Sequence, residues 1–208
     1  MPRRADDIVF MFFTTGKSAQ GVPKEELTRL QAAHIANLGR LYHAGISPLA
    51  GPLADPERQK RGIVLLRLKE PAAVPEHFRP DPYVSQGFMK VEAHRMTPLV
   101  LDLDKPSETE IAEHTIALIE EADAGGKTAP PPPLDIERWE RLPWKERPRV
   151  LLRRADPKDG PLFAVAIFAS AKQDEVRALL QKDPALRPGG PWRLHIWKQW
   201  LGRNALKP

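Results

Sequence analysis

The chain opens on an unbroken apolar run, Ile8-Val9-Phe10-Met11-Phe12-Phe13, the length of a strand buried on both faces. Turn-forming residues follow from Gly16 to Pro23, and then the period changes. From Lys24 to Ala44, Leu27, Leu30, His34, Leu38 and Leu41 recur at spacings of three and four, one stripe of a 3.6-residue helix, and Gly45 supplies the stop. Residues 46–54 are short and extended. Asp55-Pro56 turns the chain into Ile63-Val64-Leu65-Leu66, which completes a hairpin. Pro71 to Gly87 is predicted as a short helix with Asp81-Pro82 inside it or at its end, and Phe88 to His94 alternates with the period of two of a half-buried strand. The order is βαββαβ, a ferredoxin-like unit.

The second half repeats the pattern. Ala54-Asp55-Pro56 recurs as Ala155-Asp156-Pro157, the apolar strand 61–68 as 162–168, and Asp81-Pro82 as Asp183-Pro184. Leu99 to Leu103 is then expected as the first strand of this copy and Glu108 to Ala124 as its first helix. Ile111, His114 and Leu118 would share a face of that helix, with His114 in the place of His34. An insertion runs from Gly126 to about Arg147 and contains Pro130-Pro131-Pro132-Pro133, which enforces polyproline II and cannot pair in a sheet. The insertion is expected as a stiff connector or an arm packed over the sheet. A lone βαββαβ unit leaves one sheet face bare of helices, so two units are expected to bury that face against each other. The expected fold is α+β: two tandem ferredoxin-like units, 8–96 and 97–203, packed sheet to sheet as an α+β barrel, a pseudo-dimer within one chain.

Composition narrows the function classes. No apolar run approaches the roughly 18 residues of a membrane-spanning helix, so no membrane partner is expected. The first apolar stretch is too short and too acidic in its approach for a secretory signal, which favours a cytoplasmic protein; an exported one shorn of its signal would read the same. The chain has no cysteine, which excludes disulfides, thiolate nucleophiles and Cys-based metal sites. Thirty-two Lys and Arg against 27 Asp and Glu give a net +5, too diffuse for a nucleic-acid footprint. The densest basic segment, Lys145, Arg147, Arg149, Arg153, Arg154 and Lys158, is interleaved with Glu146, Asp156 and Asp159 and reads as a solvated strand and loop face, the alternative being a phosphate-binding patch. There is no His-x-x-x-His spacing, and Gly125-Gly126-Lys127-Thr128 lacks the upstream glycine of a phosphate loop, so no metal or nucleotide cofactor is expected.

The chemistry-bearing residue that stands out is His34, an imidazole on a leucine stripe. Such a group is either a core histidine bonded to a carbonyl or a general base. Asp81 before Pro82 is either an Asx-turn cap or the carboxylate that orients the imidazole. Tyr83 is a packed aromatic or a substrate contact, and Gly51-Pro52 is backbone geometry at a place where strands or a ligand come close.

Ala33-His34, Leu49-Ala50-Gly51-Pro52, Gly62, Asp81-Pro82-Tyr83-Val84 and Gly87 occur in the order and approximate spacing of the YciI-like (YCII-related) family of the dimeric α+β barrel superfamily, which residues 8–96 resemble. The resemblance implies a cleft beside the first helix, with His34 and Asp81 as an acid/base pair and Gly51, Pro52 and Tyr83 lining it. It also implies a small phenolic or carbonyl substrate, lyase- or hydrolase-type chemistry, and no cofactor. A non-catalytic small-molecule-binding or structural module on the same fold is the other class that fits, as either a monomeric pseudo-dimer or a homodimer. The second copy keeps His114 and Asp183-Pro184 but has Ala185 and Leu186 where the first has Tyr83 and Val84, and no clean Gly51-Pro52 counterpart. It is expected to be degenerate, with its cleft filled.

Overall fold

A computed structural model describes residues 8–122 and 134–208. They form an α+β fold of eight strands: β1 (Ile8–Thr15), β2 (Leu49–Pro52), β3 (Lys60–Leu66), β4 (Met89–Leu101), β5 (Ile111–Glu121), β6 (Val150–Arg154), β7 (Leu162–Phe168) and β8 (Trp192–Gly202). The helices are α1 (Lys24–His43), α2 (Val74–Phe78), α3 (Pro82–Ser85) and α4 (Gln173–Leu180). Two compact units divide at Arg95 and Met96, inside β4. In the first, the hydrogen-bonded strand order is β2-β3-β1-β4; in the second it is β6-β7-β5-β8, with the end of β4 beside β6. Each is the ferredoxin-like order of an antiparallel four-stranded sheet.

In the first unit the strands and the long helix form where the pattern predicts them. Helix α1 begins after Pro23, carries Glu25 and Glu26 in its first turn and Arg40 and His43 in its last, and ends before Gly45 at φ 71°. Each feature suits the dipole or the stop. Its buried stripe is Leu30, His34, Asn37 and Leu41. Leu41 packs with Val74 and Phe78 against Val9, Met11 and Phe13 of β1 and Val64 and Leu66 of β3. Full burial of Leu30 and Leu41 contributes about 2 kcal/mol each, which offsets the cost of two polar side chains on the same stripe only if those are hydrogen-bonded. They are, and those bonds build the site described below.

The predicted helix from Pro71 to Gly87 is broken at Arg79-Pro80-Asp81 into α2 and α3, because Pro80 and Pro82 each withhold a backbone N–H. Asp81 is left as the N-cap of α3.

The second unit corrects two expectations. Glu108 to Ala124 is not a helix: Ile111–Glu121 is the long strand β5, paired with β7 on one side and β8 on the other. His114 through Ile119 are all buried, so this strand is covered on both faces. A strand of that kind has no alternation, and its apolar residues meet a spacing of three and four by default. Leu99 to Leu103 is not the first strand of the second unit either. Leu99 to Leu101 are the end of β4, whose pairing with β6 slips between Pro98 and Val100, a bulge that tolerates a residue with no N–H, and Leu103 makes an isolated bridge to Leu206. Because β5 opens the second unit, the segment between β5 and β6 takes, in chain order, the place of the first unit's long helix. The described part of this arm buries Leu134, Ile136 and Trp139 against Val176 and Leu180 of α4 and the adjoining sheet face. Pro130 to Pro133 lie outside the described residues.

Two of the matching turns are built alike. Asp55 accepts backbone N–H bonds from Glu57, Gln59 and Lys60 between β2 and β3, and Asp156 accepts one from Lys158 between β6 and β7. Asp81 and Asp183 each cap the turn that follows, accepting from the backbone N–H two residues on at 3.0 and 2.9 Å.

Candidate functional site

Helix α1 and the α2–α3 break bring His34 and Asp81 together. His34 Nδ1 lies 2.7 Å from Asp81 Oδ2, and the carboxylate is fully buried. Its other oxygen, Oδ1, takes the Tyr83 N–H. A carboxylate removed from water is strongly destabilising unless paired and hydrogen-bonded, and both oxygens here have a donor. The approach of α1 to this break is fixed one turn further along. Arg40 donates to Asn37 Oδ1 through Nε and Nη2, at 3.1 and 2.8 Å, and Nη2 also reaches the His77 carbonyl at 2.9 Å. Asn37 thus satisfies itself on the apolar stripe while tying α1 to the end of α2, four residues before Asp81.

The His34 ring is held between aromatic edges. Phe13 meets it edge to face at 4.9 Å between centroids and Tyr83 at 5.8 Å, and Phe78 backs Phe13 at 5.4 Å. These contacts fix the ring plane while Asp81 fixes one nitrogen. The other nitrogen, Nε2, makes no hydrogen bond among the described residues, and the His34 side chain as a whole is 10% exposed. With the carboxylate accepting the Nδ1 proton, the Nε2 lone pair is the free acceptor.

The other predicted residues are placed as follows. Tyr83 flanks the His34 ring, and its hydroxyl donates to the Leu27 carbonyl at 3.5 Å. Gly51 and Pro52 lie on the edge strand β2, opposite Ile63 and Gly62. There a side chain on Gly62 would come within 3.1 Å of the Gly51 carbonyl oxygen, so this glycine pair serves the close approach of two strands. Two residues that shape the site, Phe13 and Asn37, fall outside the sequence expectations. Phe13 is legible in the sequence only as one more apolar strand residue, whereas Asn37, a polar residue on the leucine stripe three positions after His34, is a usable signal.

His114 does not reproduce His34. It lies on β5, buried, and neither ring nitrogen has a partner in good hydrogen-bond geometry among the described residues. Burial holds its imidazole below the usual histidine range, offset in part by the Ala169 backbone. In the second unit it is Arg138, from the arm, that reaches the matching aspartate: its Nη2 lies 2.8 Å from Asp183 Oδ2, while Asp183 Oδ1 caps the turn. The two aspartates therefore have the same capping bond and different cations, a titratable imidazole in one unit and a permanent guanidinium in the other.

The basic segment is also committed to the fold. Arg147 pairs with Asp102, Arg153 with Glu137 and Arg154 with Glu121, and buried Arg149 donates to the carbonyls of Trp144, Arg147 and Lys207. Among the described residues no group of three or more His, Asp or Glu side chains is placed to hold a metal ion, and no helix is long and apolar enough to cross a membrane.

No protein-family model and no curated protein matches the chain. Among solved structures it is similar to a "putative monooxygenase" from Lactobacillus acidophilus NCFM, at 13% identity and a TM-score of 0.49 over 97% of this chain and 98% of that one.

Proposed function

We propose that the first unit is a YciI-like, cofactor-free acid–base enzyme in which His34 Nε2 takes a proton from a small phenolic or carbonyl substrate and returns it to the product. Asp81 orients the ring and stabilises the imidazolium formed between those steps. The observation that carries this reading is the 2.7 Å Nδ1–Oδ2 bond to a fully buried carboxylate, with Nε2 making no hydrogen bond among the described residues. A histidine serving the core alone gains nothing from leaving that nitrogen unpartnered. Reactions that fit are lyase or hydrolase steps begun by removal of an activated proton. The second unit is proposed as a degenerate copy, since the guanidinium of Arg138 cannot act as a base at the matching position.

The other reading, a non-catalytic binding or structural module, is favoured by one feature: Asp81 also caps α3 and joins it to α1. The two separate on turnover. In a screen of small phenols and carbonyl acids, the enzyme reading expects activity in the wild type that falls by about 10²–10⁴ in His34→Gln, with the fold retained. Absence of turnover across the screen, together with a lowered melting temperature in His34→Gln, would favour the module.

A further inference from the structure

We infer that Lys17 is the anion anchor of the His34 site and that the substrate is a ring carrying a carboxylate or phenolate. The inference rests on the acid–base reading above and deepens it. From His34 a chain of ring contacts leads to a positive charge: His34 meets Tyr83 at 5.8 Å, Tyr83 meets Phe88 at 6.0 Å, and the Lys17 ammonium stands 4.2 Å over the Phe88 ring. Linked rings ending in a positive charge are complementary to a flat apolar body ending in a negative one.

The position of Lys17 is built. Its backbone N–H donates to the Gly87 carbonyl at 2.8 Å and that of Gly16 to the Phe88 carbonyl at 3.0 Å, which pins the end of β1 to the turn before β4. A side chain on Gly16 would fall 2.2 Å from the Gly87 oxygen, so only glycine allows this approach. Gly87 itself, at φ 79°, makes the turn that presents Phe88. The ammonium forms no salt bridge among the described residues, unlike Lys172, paired with Glu175, and Lys198, paired with Glu113. Its charge is exposed and has the Phe88 ring as its neighbour, at the end of that chain of contacts.

The test is an NMR titration of the full chain with benzoate, 4-nitrophenolate and neutral benzyl alcohol, comparing wild type with Lys17→Gln and Lys17→Arg. The expected result is that at least one anion binds the wild type and shifts the His34 ring signals. Lys17→Gln should weaken it about tenfold, as for a partly solvated charge-assisted contact, and Lys17→Arg should restore it. Benzyl alcohol should not distinguish the three, and anion affinity should fall as salt is raised. Benzoate alone responding assigns a carboxylate substrate, and nitrophenolate alone a phenolate. Equal anion affinity in wild type and Lys17→Gln, or anion binding that leaves His34 unshifted, would overturn the anchor. The acid–base reading fails separately, on the turnover of His34→Gln.

Discussion

Asp81 carries two attachments at once: the Tyr83 N–H, which is the cap of α3, and the His34 ring. Loss of such a buried partner is therefore a stability event as well as a catalytic one. Asp81→Ala strands a buried imidazole and removes a cap, for a cost of about 3–5 kcal/mol in urea unfolding. Asp81→Asn keeps an acceptor for Tyr83 and should cost clearly less while still lowering turnover. His114 gives the opposite case. Its imidazole is held below the unfolded value of 6.5, chiefly by burial, so as pH falls through 6.5 the unfolded chain takes up protons that the folded chain refuses. Its contribution is therefore a loss of stability on acidification, beginning near the unfolded pKa and levelling once the folded pKa is passed. His114→Leu also removes two unpartnered buried nitrogens. Unfolding free energies at about pH 7.5 and about pH 5 should show a smaller difference in His114→Leu than in the wild type. An unchanged difference would show that His114 is not the group responsible.

At the scale of elements, glycines separate what packing demands from what it merely tolerates. Gly39 lies inside α1, where a Cβ would meet nothing within 4 Å, so Gly39→Ala should stabilise the fold by about 0.5–1 kcal/mol and raise the melting temperature. Gly16→Ala meets backbone at 2.2 Å and should destabilise by about 1–3 kcal/mol while displacing Lys17. The pattern of the sequence is sufficient for α1, β1 and the β2–β3 hairpin, because each is apolar on the period its backbone requires. It fails at β5, where burial on both faces erases the alternation that distinguishes strand from helix. It also fails at the end of β4, where Pro98 suggests a break and a bulge absorbs it. The pairing of His34 with Asp81, 47 residues apart, is available only through the ordered motif. Period alone places His34 on a face and says nothing of what meets it there.

For the molecule as a whole, both units share a strand order and an Asp-Pro cap, but only Asp7–Arg95 sets a titratable ring against its aspartate. The Arg138–Asp183 pair has a guanidinium nearly half exposed, so its worth to stability is at most about 1 kcal/mol. Asp183→Asn should then leave both turnover and melting temperature close to wild type, in contrast to Asp81→Asn. If the two substitutions lowered turnover equally, the second unit would have to carry part of the site. The measurement closest to the central claim needs no substrate: the ¹⁵N and ¹H NMR signature of the His34 ring in its neutral form. A proton on Nδ1, hydrogen-bonded to Asp81, with a lone pair on Nε2 is the predicted tautomer. A proton resident on Nε2 would mean that the nitrogen not held by Asp81 is a donor, and it would contradict the assignment of His34 as the base.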